Sequence, residues 1–168
     1  QTAGDLPWSD TSLFATPTLV TLPASTLTPV PLVILASSLT PGSGYVFRLA
    51  ATDTTGNVGF STFAVDVNLP PTSGSLEVSP SAGVVLVDTF VMSASSWVDD
   101  PADLPFKFRF AYIVGAAAAQ PSSSEMLLTG ADQASNHYLA LLPQGGGVNN
   151  TITCVCYVLD KYGAGTRA

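Results

Sequence analysis

Two adjacent prolines, Pro70 and Pro71, interrupt a chain that otherwise alternates apolar and polar residues with a period of two. Each proline removes a backbone donor and fixes φ, so no sheet runs through the pair. Upstream, Phe63, Val65 and Val67 alternate with Thr62, Ala64 and Asp66; downstream, Leu76 and Val78 open a new alternation that Pro80 stops. Alternation of this kind marks strands with one buried face. A strand, a diproline and a second strand read as a joint between two β-domains. The proline pair makes that joint short and semi-rigid, and Thr72-Ser-Gly74 supplies the turn after it.

The same period assigns the other strands. Tyr45, Phe47, Leu49 and Ala51 share one face, and Val46, Arg48, Ala50 and Thr52 the other; Asp53-Thr-Thr-Gly56 then turns the chain into a closing strand from Phe60 to Val67. Phe90, Met92 and Ala94 alternate up to Trp97. The clearest strand carries Phe106, Phe108, Phe110 and Tyr112 on one face and Lys107, Arg109 and Ala111 on the other. Shorter strands are expected at Phe14 to Leu22, Val30 to Leu35, Gly83 to Val87, Met126 to Leu128, Tyr138 to Leu142 and Thr151 to Leu159, with Trp8 as an aromatic anchor. Gly115 to Ser124 is expected to be a loop, because its Gly and Pro boundaries are too close together for a helix. In Leu39-Thr-Pro-Gly-Ser-Gly-Tyr45, Pro and Gly turn the chain at a sheet edge and the tyrosine hydroxyl can return to the backbone upstream. That is the tyrosine corner of Greek-key sandwiches.

An internal repeat supports this layout. Asp53-x-x-Gly56 and Asp160-x-x-Gly163 each follow a strand of the same pattern, and superposing them sets Tyr45, Phe47, Leu49 and Ala51 on Ile152, Cys154, Cys156 and Val158. The expected fold is all-β, as tandem fibronectin-III/Ig-like β-sandwiches that are both incomplete in this segment. Residues 1–69 would be the C-terminal part of the first sandwich, and 70–168 a second lacking its last strand. A chain cut through two domains implies a longer polypeptide.

Composition narrows the function. Only 10% of residues are charged, against roughly 25% in typical soluble domains. Polarity therefore rests on Ser and Thr, an extracellular or cell-wall style. The net charge is −7 and the five Lys and Arg are scattered singly, so there is no basic patch for nucleic acid. No apolar run reaches the roughly 18 residues a bilayer-spanning helix needs, so no membrane contact is expected within the segment, and no signal-peptide pattern opens it.

No motif carries an enzymatic reaction. His137, the single histidine, opens a strand with no G-x-S-x-G elbow in the chain to supply a nucleophile, and reads as a surface residue rather than a general base. Gly145-Gly-Gly147 lacks the lysine and strand-to-helix context of a phosphate loop. No cofactor is expected. Cys154 and Cys156, two apart on a strand, hold their Cα atoms nearly 7 Å apart, too far for an easy bridge. They read as buried thiols used as small hydrophobes, the alternatives being a metal site short of ligands or a bridge to another segment. Asp99, Asp100 and Asp103 surround a turn at Pro101; they are Ca²⁺ candidates, though Asp also favours turns and solvated loops. Asn149-Asn-Thr151 is a glycosylation sequon in a Gly-rich loop, which places a glycan on Asn149 in a secreted chain. Trp97 reads as a core anchor at a strand end, the alternative being a carbohydrate platform.

One resemblance goes further. Asn68-Leu-Pro-Pro-Thr-Ser-Gly-Ser-Leu-Glu-Val-Ser-Pro80, then Gly83, Thr89-Phe90, Trp97-Val-Asp99 and Asp103-Leu-Pro105 before an aromatic strand, resembles the REJ (receptor for egg jelly) module of polycystin-1-like proteins. Tyr45-Val-Phe-Arg-Leu-Ala-Ala-Thr-Asp53 is similar to the strand preceding that module, so the match runs from about residue 35 to 113. The resemblance implies fibronectin-III-like sandwiches in an extracellular protein of the cell surface, cilium or flagellum. It also implies a non-enzymatic structural or adhesive role among neighbouring domains of a large chain. Partners would be a polycystin-2-like channel or, in a mastigoneme-like filament, other filament subunits; a carbohydrate-binding module is the remaining alternative. The family often carries cysteines near the tryptophan, where this chain has Ser95 and Ser96, so no disulfide is assigned to that loop.

Overall fold

A computed structural model describes residues 6, 10–23, 29–35, 38–115 and 125–168. The chain is all-β and divides into two compact units, Gln1–Asn68 and Leu69–Ala168. Trp8 and residues 116–124 of the expected loop lie outside the described residues.

In the first unit, β1 (Gly44–Thr52) and β2 (Val58–Asp66) form an antiparallel hairpin in register from Gly44↔Asp66 to Thr52↔Val58. Tyr45 and Phe47 are buried on one face, and Phe47 stacks on its cross-strand partner Phe63 at 5.2 Å. The corner forms as its residues require: the Thr40 backbone N–H donates to Tyr45 Oη at 2.9 Å. Asp53 organises the β1–β2 turn, accepting from the backbone N–H groups of Thr55 and Asn57, while Gly56 takes φ +90°.

Neither Phe14 to Leu22 nor Val30 to Leu35 is a strand. They meet in one isolated bridge, Phe14↔Ile34, flanked by Ala15 N–H to Val33 O (2.8 Å) and Leu35 N–H to Leu13 O (3.0 Å). Pro17, Pro29 and Pro31 interrupt the donors a longer ladder would need.

The second unit contains β3 (Ser75–Ser79), β4 (Thr89–Ser95), β5 (Lys107–Val114), β6 (Met126–Leu127), β7 (His137–Leu141), β8 (Ile152–Leu159) and β9 (Gly165–Arg167). One antiparallel sheet runs β3-β4-β7, the other β6-β5-β8-β9. Phe90, Met92 and Ala94 of β4, Phe108 and Phe110 of β5, and Cys156 and Val158 of β8 belong to a single core cluster. The sheets therefore bury their apolar faces in the same core, and the alternation read from β4 and β5 is its direct cause.

Three features depart from the sequence reading. Gly83 to Val87 is a tight turn, not a strand. Val87 and Asp88 both donate from their backbones to Val84 O, Leu86 takes φ +56°, and the Asp88 carboxylate accepts the Val84 N–H at 2.7 Å. Beyond Asp160, Gly165–Arg167 forms β9 on the edge of β8. The outward face of β5 is also buried at its far end, where Ala111 and Ile113 pack with Val155 beneath Tyr157. Glu125 spans that outer face, accepting from Tyr157 Oη and pairing with Arg167 Nη2 at 2.8 Å.

Candidate functional site

The β4–β5 connection leaves Trp97 and enters a 3-10 turn at Pro101–Asp103. Asp100 caps this turn, its carboxylate accepting the Ala102 N–H at 2.9 Å. The side chain of Asp100 is therefore committed to its own loop. Asp99 Oδ1 accepts the Asp100 N–H at 2.9 Å, while Asp99 Oδ2 is sealed from solvent with no hydrogen-bond partner. Asp103 is only 9% exposed.

Because β5 and β8 pair in antiparallel register, with Lys107 opposite Leu159, the residues before β5 lie beside those after β8. The Lys161 N–H donates to Asp103 O at 2.9 Å, and Asp160 comes alongside. Asp160 is 1% exposed and holds the β8–β9 turn, its Oδ1 accepting the N–H groups of Tyr162 (2.8 Å) and Ala164 (3.0 Å). Gly163 there takes φ +88°, the same design as the Asp53 turn.

Carboxylate oxygens of Asp99, Asp103 and Asp160 all lie within 4.8 Å of one another. Burial pushes the Asp103 carboxyl above its ordinary range, the charges of Asp100, Asp99 and Asp160 push the same way, and Lys161 opposes them. The sequence-nominated trio is thus rearranged: Asp99 and Asp103 stay together, Asp100 turns to its cap, and Asp160 joins. The repeat had marked Asp160 as a turn residue; what could have placed it here is the adjacency of the strands before and after these loops.

The other candidates separate. Asn149 is exposed in a turn where Asn150 N–H reaches Gly147 O at 3.3 Å and Gly146 bridges Thr151. His137 Nδ1 lies 2.7 Å from Ser93 Oγ across the β4–β7 pair. That resembles half of a nucleophile–base pair, but His137 is exposed, and among the described residues no carboxylate hydrogen-bonds the ring to orient it. Trp97 packs half-buried against the core, with its Nε1 sealed from solvent and unpartnered.

Cys154 and Cys156 are free thiols. Burial raises both, and pushes Cys156, which is 0% exposed, up to about 11. A thiol raised in the folded state favours folding in its protonated form. Its contribution is fully present below the ordinary value of 9.0 and is lost as pH rises through about 11. Iodoacetamide at pH 8 is therefore expected to leave Cys156 unmodified in the native protein and to alkylate it fully in denaturant, read by peptide mass. Rapid native alkylation would contradict its place in the core.

A two-sheet β-unit with a shared core, its loops carrying the polar clusters, defines the chain as an all-β module. The family model of the REJ domain matches residues 1–168, and the chain belongs to that family, a non-catalytic module of polycystin-like proteins. No curated protein matches the chain. Among the described residues, no helix is long and apolar enough to cross a membrane.

Proposed function

We propose that this chain is a non-enzymatic structural and adhesive module of a large polycystin-1-like protein, displayed outside the cell at the cell surface or on a cilium or flagellum. The observation that carries the reading is the REJ match over residues 1–168. The order of the sheets supports a fibronectin-III-like sandwich for the second unit. In an immunoglobulin constant-type sandwich the fourth strand joins the sheet of the first, second and fifth. Here the fourth strand, β6, lies on the edge of β5 instead. The β1–β2 hairpin, with its corner tyrosine, corresponds to the last two strands of a preceding sandwich, so the units would be tandem and linked through Pro70 and Pro71. Such modules space domains, carry tension and present loops to neighbouring domains, to a polycystin-2-like channel or to filament subunits.

The test is peptide mapping of the native protein together with labelling of intact cells by an impermeant amine reagent. A glycan on Asn149 and surface labelling of this chain are expected. Flanking transmembrane peptides would identify a receptor, and repeats without them a mastigoneme-like filament. An unmodified Asn149 in a chain protected from the reagent would overturn the extracellular reading.

A further inference from the structure

The geometry points to a Ca²⁺-binding site formed by Asp99, Asp103 and Asp160, which ties the β4–β5 connection to the β8–β9 turn. It does not depend on the adhesive role proposed above.

Size comes first. Ca²⁺ binds oxygens at about 2.3–2.6 Å, so oxygens on opposite sides of one ion stand about 5 Å apart. One carboxylate oxygen from each of the three residues lies within 4.8 Å of the others, a spacing that brings all three close to the reach of one ion.

The second observation is independent of the clustering. Asp103 is more than nine-tenths buried, and among the described residues no hydrogen bond reaches its carboxylate; Asp99 Oδ2 is sealed from solvent with no donor. A charged carboxylate whose oxygen is sealed without a partner, as Asp99 Oδ2 is, is costly until a proton or a cation takes it. Asp100, in the same loop, shows the contrast: it is exposed and satisfied by the Ala102 N–H.

Chemistry then selects the ion. The donors are all oxygen, with no thiolate or imidazole in the cluster, which favours a hard cation over zinc. Mg²⁺ demands near-ideal octahedral geometry and keeps several waters, whereas Ca²⁺ accepts irregular sets of carboxylates. Lys161 stands close by, its ammonium donating to Ala102 O and lying 4.6 Å above the Tyr162 ring. Its charge offsets part of the acidic field, which places the affinity in the weak range of extracellular modules, about 10⁻⁴–10⁻³ M.

The experiment is a CaCl₂ titration of the chelator-treated chain, followed by calorimetry and by amide exchange. One saturable site is expected, with slower exchange of the Tyr162 and Ala164 amides, which donate to Asp160. Asp99→Asn and Asp103→Asn each weaken binding about tenfold or more, whereas Asp100→Asn, which removes a neighbouring charge but no ligand, weakens it clearly less. Near-UV circular dichroism verifies that each variant is folded; Asp99→Asn carries the test if Asp103→Asn does not fold. No saturable binding at about 10 mM Ca²⁺ overturns the site. Equal loss in Asp100→Asn also overturns it, since that would show diffuse attraction to an acidic loop, and so does equal stabilisation by Mg²⁺.

Discussion

Phe110→Ala is expected to cost the second unit roughly 3–5 kcal/mol, a large share of the 5–15 kcal/mol that holds a typical domain folded. Phe110 is 0% exposed, stacks on Tyr138 with ring centroids 5.7 Å apart, and faces Cys156 across the β5–β8 ladder. It therefore lies where the two sheets meet, and alanine would leave a void bounded by β4, β5, β7 and β8 that the ladders keep from collapsing. The loss appears as a lower urea midpoint with an unchanged slope. Leu139→Ala, on the outward face of β7 and 67% exposed, is the matched control and should stay within about 0.5 kcal/mol. A Phe110 variant as mild as the control would mean that the sheets do not share a core.

Gly74→Ala is expected to be damaging too, by a smaller amount and for an opposite reason. A Cβ on Gly74 would stand 2.0 Å from Cδ2 and 2.2 Å from Cε2 of Trp97. These atoms form the rigid waist of the indole, so the ring as a whole must move. Thr72 and Val98 exchange backbone hydrogen bonds beside this contact, at 2.9 and 3.0 Å, and hold both segments in place. Overpacking of this kind costs roughly 1–3 kcal/mol. It should also displace the Trp97 indole N–H resonance, which a loss of stability alone would not do. A double-mutant cycle with Trp97→Ala tests the cause: the glycine substitution should become nearly neutral once the ring is gone. Undiminished damage in that background would locate the problem in the backbone.

The same contact explains part of the REJ-like sequence pattern. The glycine after the diproline and the tryptophan of Trp97-Val-Asp99 lie far apart in sequence, yet they face each other so closely that one requires the other. Gly83 is similar: a Cβ there would come within 2.9 Å of Phe90 Cζ.

Where the sequence was legible, the information was local. Phe90, Met92 and Ala94, or Phe106 to Tyr112, declare a strand because burial follows the period of the backbone itself. Tyr45 was legible because its hydroxyl returns to Thr40, only five residues upstream. Gly83 to Val87 misled because a run of apolar residues reports hydrophobicity and not conformation; the Asp88 carboxylate, closing onto Val84 N–H, decided for a turn. Phe14 to Leu22 misled because an apolar count does not register the missing donors of the prolines. Asp160 was invisible as a partner of Asp99 and Asp103 because their meeting depends on the pairing of β5 with β8. A wrong strand neighbour would have placed it elsewhere.

The double-sided burial of β5 bears on how the chain avoids folding mistakes. A strand apolar on both faces is poorly instructed about its alignment, because a shifted pairing still covers hydrocarbon. β5 escapes that ambiguity through asymmetry along its length: its outward face begins with Lys107 and Arg109 and ends with the buried Ala111 and Ile113. Slipping by two residues against β8 would carry the Arg109 guanidinium into the place of Ala111, opposite Val155 and away from Asp132, its partner at 2.6 Å. The ion pair, only modestly stabilising where it sits half in water, thus acts as a proofreading mark that makes the wrong alignment expensive.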